Sequence, residues 1–355
     1  MSKELKLMKG NEAIAEAAIR AGVDAYFGYP ITPQSEIMEY LMENDGRTGM
    51  VTLQAESEIA AINMVYGGAG CGKKVMTSSS SPGISLMQEG ISYIAGAELP
   101  CLIVNVSRGG PGLGTIQPAQ ADYFQSVKGG GHGDYHLIVL APDSVQEMAD
   151  FVELGFDLAF KYRNPVLILS DGAIGQMMEK VYLKPQKPRS EEIQPWAATG
   201  KGNRSKSNII TSLDLDPGCK EKFNQKLADK YDEIKKNEVR FEEYCCGDAD
   251  YLIVAYGTSA RVCKKSVQLA REQGIKVGLF RPVTLFPFPY AKLNELADKV
   301  KGILSVEMSA GQMIEDITLA VNNKKPIRHF GRMGGIVTAP DEVVAKLKTF
   351  FIGGN

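Results

Sequence analysis

The feature that most constrains the fold is a regular alternation of helical and extended hydrophobic patterns between residues 10 and 180. Short loops containing Gly and Pro separate the patterns, which is typical of βαβ units. Two extended segments, 101–106 and 165–170, are apolar almost throughout, as are strands that are buried on both faces of a parallel sheet. The sequence therefore predicts an α/β domain with a mainly parallel sheet, helices on both faces, and sites in the loops beyond the carboxyl ends of the strands.

The composition changes between residues 181 and 250, where 26 of 70 residues are charged, against 23% in the whole chain. A second and smaller α/β pattern begins near residue 251. We therefore expect a first domain over residues 1–180, a charged linker over 181–247 with an exposed helix, and a second domain over 248–355.

The overall charge and the cysteine pattern exclude several classes of protein. The formal net charge is −2 and there is no basic stripe, so nucleic acid is not an expected partner. No apolar run is long enough to span a bilayer and the start of the chain does not resemble a secretory signal, so we expect no membrane association. The six cysteines form no metal-ligand or disulfide pattern, which predicts a cytoplasmic protein without a metal site of its own.

Two loops that follow predicted strands carry side chains suited to binding an anion. The first, Tyr29-Pro-Ile-Thr-Pro33, offers the hydroxyl of Thr32 on a backbone stiffened by proline. The second follows the strand at 101–106 and places Arg108 before four glycines in six residues. Arginine can hold a carboxylate or a phosphate through two hydrogen bonds, and glycine lets the backbone approach a ligand closely.

A third candidate is a carboxylate at the start of a helix that is rich in small and apolar residues. Glu56 and Glu58 both precede this helix. A carboxylate in the first turn is stabilised by the helix dipole, and restricted access of water would suit it to share a proton with a ligand nitrogen. The residues alone do not decide between the two glutamates.

Several short motifs are spread over nearly the whole chain: Gly10-Asn-Glu-Ala13, Tyr29-Pro-Ile-Thr-Pro33, Ser57-Glu-Ile-Ala-Ala61, Thr77-Ser-Ser-Ser-Ser-Pro-Gly83, Ser107-Arg108, Gln117-Pro-Ala-Gln-Ala-Asp122, Glu307-Met-Ser-Ala-Gly-Gln312 and Gly331-Arg-Met-Gly-Gly335. Together they resemble the alpha subunit of the 2-oxoacid:ferredoxin oxidoreductases, most of all the branched-chain 2-oxoisovalerate (3-methyl-2-oxobutanoate) type. The resemblance implies a thiamine-enzyme pyrimidine-binding domain followed by a smaller transketolase C-terminal-like domain. These enzymes use thiamine diphosphate to decarboxylate a 2-oxoacid oxidatively, reduce ferredoxin through iron–sulfur clusters, and release an acyl-CoA.

The resemblance also implies roles for individual residues. Glu58 matches the carboxylate that hydrogen-bonds the aminopyrimidine ring and favours deprotonation of the thiazolium carbon, with Glu56 as the fallback. Thr32 and Arg108 match the positions that hold the substrate carboxylate. The remaining cofactor-binding positions are Tyr29, Pro30 and Ser80.

One position departs from the family. Where the family usually reads Ser-Gly-Pro-Gly, this chain reads Ser80-Ser-Pro-Gly83, so the conformation of the loop and the role of its serines are open.

The chain lacks the parts that would complete such an enzyme. It has no Gly-Asp-Gly motif for the Mg²⁺ that holds the cofactor diphosphate, since Gly247-Asp-Ala249 lacks the second glycine, and it has no cysteine cluster for iron–sulfur centres. We therefore expect a beta subunit carrying the diphosphate and Mg²⁺ site, an iron–sulfur subunit, ferredoxin as acceptor, coenzyme A as co-substrate, and assembly as a dimer of heteromers.

Substrate choice is left open by the motifs, which 2-oxoglutarate and pyruvate enzymes share. A 2-oxoglutarate enzyme needs a second cation for the distal carboxylate, for which Lys128 and His132 are the candidates. Two further alternatives are a thiamine enzyme that does not use ferredoxin, such as a transketolase-like or dehydrogenase E1 component, and a non-catalytic scaffold that keeps the fold.

Overall fold

A computed structural model describes residues 4–353, and the outermost residues of the two predicted domains, 1–3 and 354–355, lie outside the described residues. Over residues 4–353 the strands form a seven-stranded, a five-stranded and a two-stranded sheet.

The first half of the chain alternates strands and helices much as the hydrophobic pattern predicts. The elements are β1 (Glu4–Lys9), α1 (Gly10–Arg20), β2 (Ala25–Gly28), α2 (Ser35–Glu43), α3 (Asp45–Thr48), β3 (Val51–Gln54), α4 (Glu58–Gly70), β4 (Val75–Ser79), α5 (Ser81–Gly96), β5 (Cys101–Ser107), α6 (Tyr123–Val127), β6 (Ile138–Leu140), α7 (Val145–Tyr162), β7 (Pro165–Asp171), α8 (Gly172–Gln176) and β8 (Met178–Leu183).

The second half begins with a long helix inside the predicted linker and continues as a second α/β pattern. The elements are α9 (Pro217–Asn237), β9 (Phe241–Tyr244), β10 (Tyr251–Val254), α10 (Gly257–Glu272), β11 (Val277–Pro282), β12 (Thr284–Phe286), α11 (Tyr290–Lys299), β13 (Gly302–Glu307), α12 (Met313–Val321), β14 (Ile327–Gly331) and α13 (Pro340–Phe351).

The seven-stranded sheet has the order β12-β6-β7-β5-β4-β2-β3, and all of its pairs are parallel except β12 with β6. Its central strands β5 and β7 are buried along their full length, which explains their nearly continuous apolar sequence. The predicted α/β architecture with a mainly parallel sheet is confirmed.

The five-stranded sheet has the order β14-β13-β10-β11-β9, with β9 antiparallel to β11 and the other pairs parallel. β9 lies within the predicted linker and belongs to the five-stranded sheet through its pairing with β11. β12 lies within the predicted second domain but belongs to the seven-stranded sheet through its pairing with β6. Strand pairing therefore joins a segment from the second half of the chain to the larger sheet, in addition to the side-chain packing between the two halves.

Local side-chain chemistry fixes the starts of two helices. Ser144 precedes α7 and its side chain accepts a hydrogen bond from the backbone N–H of Glu147, while the Glu147 carboxylate accepts one from the N–H of Asp143. The serine bond satisfies an N–H group that the helix itself leaves free, and the glutamate bond closes back onto the residue before the N-cap. The Ser57 hydroxyl caps α4 in the same way by accepting from Ala60, which places Glu58 in the first turn.

Candidate functional site

The carboxyl ends of four neighbouring parallel strands bring the predicted site loops to one edge of the seven-stranded sheet. The end of β2 pairs with the end of β3 at Gly28 and Gln54, and β4 pairs with β5 at Ser79 and Asn105. The loops that follow these strands contain the predicted residues of the proline loop, the two glutamates and Arg108. This edge is where ligands bind in open parallel sheets.

Of the two candidate glutamates, only Glu58 is buried. Its side chain is 6% exposed, whereas Glu56 is exposed to solvent. Within residues 4–353 the Glu58 carboxylate accepts no hydrogen bond and forms no ion pair. Burying a carboxylate without a donor is costly, so this arrangement fits a site that receives a hydrogen-bond donor from a bound group.

The first turn of α5 lies directly against Glu58. A Cβ atom added at Gly83 would lie 2.5 Å from Oε1 of Glu58 and 2.0 Å from Oγ of Ser79, so this position has room only for glycine. The hydroxyls of Ser79 and Ser80 are buried and have no partner among the described residues. Glu58 and the predicted cofactor residue Ser80 thus belong to one polar wall that leaves hydrogen-bonding groups free.

The side-chain amides of Asn11 and Gln34, which the sequence does not mark as site residues, donate hydrogen bonds to the backbone of the proline loop. Asn11 donates from Nδ2 to the carbonyl of Pro33 at 2.7 Å, and Gln34 donates from Nε2 to the carbonyl of Tyr29 at 3.1 Å. Both amide side chains are fully buried. The motif that begins at Gly10 contains Asn11, but nothing in that motif indicates a partner 22 residues away.

Arg108 lies beside the proline loop, and its guanidinium contacts the backbone of Thr32. Its Nη1 donates to the backbone carbonyl of Thr32 at 2.9 Å and its Nη2 donates to the carbonyl of Leu113 at 3.1 Å. The Thr32 side chain is exposed, and Nε of Arg108 is buried without a partner. The guanidinium is therefore oriented by two carbonyls, while N–H groups that those bonds do not use remain available to an anion.

Lys128 and His132, the candidates for a second cation, have other partners. Nζ of Lys128 lies 2.6 Å from Oδ1 of Asp316, which is fully buried. Tyr123 donates to the same carboxylate at 2.6 Å, and burial together with that negative charge raises the pKa of Tyr123. His132 is exposed and stands edge-on to Tyr93. The charge of Lys128 is thus already balanced by an internal carboxylate.

A second buried glutamate, Glu307, ends β13 and faces the start of α12. Its carboxylate accepts hydrogen bonds from the hydroxyls of Ser305 and Ser309 at 2.8 and 3.0 Å. It also accepts from the backbone N–H groups of residues 312, 313 and 314 at 2.9, 2.9 and 3.1 Å. Five donors saturate this carboxylate, so it serves as a structural cap for the helix.

Gln120 joins the loop after Arg108 to the five-stranded sheet. Its backbone N–H donates to the carbonyl of Met308 at 2.9 Å, and its Oε1 accepts from the N–H of Met308 at 3.0 Å. Ser259 donates to the same Oε1 at 2.6 Å, and Nε2 of Gln120 donates to the carbonyl of Tyr256 at 2.8 Å. The second sheet thereby fixes one end of the loop that carries Arg108.

Over residues 4–353, no group of three or more His, Cys, Asp and Glu side chains is arranged to hold a metal ion. None of the described helices has the length and apolar character needed to cross a membrane.

Comparisons with known proteins agree with this geometry. A family model described as pyruvate flavodoxin/ferredoxin oxidoreductase, thiamine diphosphate-binding, matches residues 16–242, and one described as pyruvate:ferredoxin oxidoreductase core domain II matches residues 249–343. The chain is 51% identical over 343 residues to the ketoisovalerate oxidoreductase subunit VorB of Methanothermobacter marburgensis, covering 97% of both chains.

Two solved structures share the fold. A 2-oxoglutarate:ferredoxin oxidoreductase from Magnetococcus marinus, with 2-oxoglutarate, coenzyme A and succinyl-CoA bound, superimposes with a TM-score of 0.87 and 29% identity; the match covers 98% of this chain and 65% of that one. A split-gene transketolase matches with a TM-score of 0.60 at 13% identity over 96% of this chain and 97% of the other, which extends the likeness of fold to transketolase. The chain belongs to the pyruvate flavodoxin/ferredoxin oxidoreductase family, whose model for the thiamine diphosphate-binding part covers most of its length.

Proposed function

We propose that this chain is the subunit of a thiamine diphosphate-dependent 2-oxoacid:ferredoxin oxidoreductase that acts on 2-oxoisovalerate, yielding an acyl-CoA and CO₂. The observation that carries the proposal is the Glu58 carboxylate, which is buried beside Gly83 without a donor. The 51% identity to a ketoisovalerate oxidoreductase subunit supports the choice of substrate class.

Glu58 would hold the aminopyrimidine end of thiamine diphosphate by accepting a hydrogen bond from its ring. When bound, thiamine diphosphate supplies the nucleophilic carbon and the electron sink that decarboxylation of a 2-oxoacid requires. Tyr29, Pro30 and Ser80 would line the same pocket. The burial of Glu58 limits access of water to the acceptor atom, so a hydrogen bond from the ligand would meet little competition from solvent.

Arg108 would bind the substrate carboxylate, with the Thr32 hydroxyl as a second donor. Because Thr32 and Leu113 carbonyls already orient the guanidinium, little side-chain entropy is lost when a carboxylate arrives. The cation would attract the carboxylate of the substrate. Because decarboxylation converts this carboxylate to neutral CO₂, its attraction to Arg108 would end at that step.

The other half of the cofactor site would come from a partner chain. Ile59 and Leu86 are each 51% exposed, and they lie next to Glu58 on α4 and just beyond Gly83 on α5. Large exposed apolar side chains on two helices that pack together are typical of a surface that another chain covers. We infer that a beta subunit with the diphosphate and Mg²⁺ site covers this face, that iron–sulfur centres on a further partner pass electrons to ferredoxin, and that the complex is a dimer of heteromers.

The domain limits of 1–180, 181–247 and 248–355 and the cytoplasmic location stay predictions of the sequence. Coenzyme A would enter as the acyl acceptor, by analogy with the Magnetococcus enzyme, whose structure holds it.

2-Oxoglutarate is the alternative substrate, because the Magnetococcus enzyme binds it. The ion pair between Lys128 and buried Asp316 argues against that alternative, since it leaves this cation balanced by an internal charge. Pyruvate lacks the branched side chain and is the second alternative.

The test is reconstitution of the chain with its partner chains, followed by assay with 2-oxoisovalerate, 2-oxoglutarate and pyruvate, coenzyme A and a one-electron dye. We expect kcat/KM for 2-oxoisovalerate to exceed that for pyruvate by at least about tenfold, because added methyl groups in an apolar pocket are worth at least that factor. We expect a similar ratio over 2-oxoglutarate, because Lys128 is paired with Asp316 and its charge is not free for the distal carboxylate. A preference for 2-oxoglutarate would overturn the substrate assignment. Absence of turnover together with absence of saturable thiamine diphosphate binding would instead identify a scaffold.

A further inference from the structure

The hydroxyl of Ser81 lies at the centre of a hydrogen-bonded chain that connects the first turn of α5 to the backbone of Arg108. Oγ of Ser81 accepts from the backbone N–H of Arg108 at 3.0 Å and lies 2.6 Å from Oδ2 of Asp122, to which it donates. The same Oδ2 accepts from Nδ2 of Asn105 at 2.8 Å. The Ser81 hydroxyl therefore accepts one hydrogen bond and has a single proton to donate.

The directions of these bonds follow from the proton count. Ser81 carries one hydroxyl proton, and the short distance to the Asp122 carboxylate makes that oxygen the stronger acceptor than the Arg108 carbonyl at 3.2 Å. A hydroxyl that donates to a carboxylate becomes a better acceptor, which strengthens the bond from the Arg108 N–H.

Ser81 is also only two residues from the position that contacts Glu58, the acid proposed to hold the cofactor. It is the first residue of α5, and Gly83, two residues later, is the position that contacts the Glu58 carboxylate. One helix start thus touches the acid proposed for the cofactor and holds the backbone of the cation proposed for the substrate. A glycine at position 81 would lack the hydroxyl and could not make this connection.

We propose that Ser81 is a positioning residue, which sets the place of Arg108 relative to Glu58 through the Ser81–Asp122 bond. This inference rests on the proposed role of Arg108 in holding the substrate carboxylate. Because the guanidinium is itself bonded to the carbonyls of Thr32 and Leu113, loss of the backbone bond would let residue 108 and its partner carbonyls shift together. The effect should fall on substrate binding and leave the Glu58 contact intact.

The test compares Ser81→Ala with Ser81→Thr and with Ser85→Ala in the reconstituted complex. Ser85 is exposed one turn along α5 and is a matched loss of a serine hydroxyl. We expect Ser81→Ala to raise KM for 2-oxoisovalerate about tenfold, the equivalent of one hydrogen bond, with kcat and thiamine diphosphate affinity within about twofold of wild type. Ser81→Thr should restore KM, and Ser85→Ala should not change it.

An unchanged KM in Ser81→Ala would overturn the inference, as would an equal loss of cofactor affinity. If Ser81→Ala does not fold, Asp122→Ala removes the acceptor of the same hydroxyl and should give the same rise in KM. A lack of that rise in a folded Asp122→Ala complex also overturns the inference.

A second measurement does not depend on turnover. Phenylglyoxal labels arginine side chains, and mass spectrometry can follow its rate at Arg108, which is 7% exposed, in the full chain alone. We expect labelling to be about fivefold faster in Ser81→Ala and unchanged in Ser85→Ala, because loss of one hydrogen bond raises the population of an open loop by up to about tenfold. Equal labelling rates in Ser81→Ala and wild type would contradict the positioning role, even if the complex is active. Faster labelling in Ser81→Ala, combined with a wild-type complex that is inactive on all 2-oxoacids, would contradict the proposed function and not the positioning role.

Discussion

Glu58 and Glu307 are both buried glutamates at the start of a helix, and they differ in what surrounds the carboxylate. Glu307 accepts five hydrogen bonds from its own chain, and Glu58 accepts none within the described residues. A saturated carboxylate stabilises the fold but has no acceptor capacity left for a ligand. An unsaturated one weakens the fold and is free to bind, so hydrogen-bond satisfaction separates the structural acid from the acid proposed to hold the cofactor more sharply than burial does.

The largest effect is expected from the same amide substitution made at both glutamates, beginning with Glu58→Gln. We expect kcat of the reconstituted complex to fall about 10³-fold, as expected for loss of a positioned acid–base group, because an amide cannot take up a proton from the cofactor ring. The free energy of unfolding should not decrease, since no internal bond is lost. Steady-state kinetics and urea denaturation measure the two quantities, and activity within tenfold of wild type would contradict the role.

The counterpart, Glu307→Gln, should act on stability. Its amide would direct N–H groups at serine hydroxyls and backbone donors that now face a carboxylate, and we expect the free energy of unfolding to fall by about 3 kcal/mol. Urea denaturation of the chain gives this value. Thiamine diphosphate affinity of the folded fraction should stay unchanged, and a selective loss of that affinity would show that the two glutamates do not divide as proposed.

The smallest effect concerns the space beside Glu58. Gly83→Ala would place a methyl group 2.5 Å from Oε1 of Glu58. We expect the Glu58 carboxylate to be displaced by about 1 Å, which should lower kcat/KM about 10²-fold. Gly67→Ala is the matched control, because a Cβ at this exposed position of α4 would meet nothing within 4 Å. Equal activity of the two variants would mean that the approach of α5 to Glu58 does not matter for turnover.

Sequence patterns predicted the parallel sheet because its signal is local. The apolar runs at 101–106 and 165–170 can hardly form anything but buried strands, and they became β5 and β7. β9 and β12 carry no comparable signal, since their four and three residues acquire strand structure only from partners far away in the chain. Short strands of this kind depend on tertiary context more than on propensity.

The site shows the same division between local and long-range information. Resemblance to the family pointed to Glu58, Thr32 and Arg108, and the structure brings Arg108 to the Thr32 carbonyl. The resemblance did not indicate that Arg108 contacts the backbone carbonyl of Thr32, because the atom that faces a guanidinium depends on loop geometry. The hydrogen bond from Ser81 to Asp122, 41 residues apart, is likewise set by the packing of three loops and leaves no periodic trace in the sequence.

The pairing of β12 with β6 means that the first half of the chain depends on a strand from the second half. Thr284–Phe286 closes an edge of the larger sheet, and the carbonyl of Val283 also accepts from the N–H of Ala141 at 2.9 Å. A fragment cut in the charged stretch would leave β6 with bare backbone donors and acceptors, which invite aggregation. We therefore expect the two halves to unfold in one cooperative transition. An exchange of one half for that of a relative must also preserve the pairing of β12 with β6.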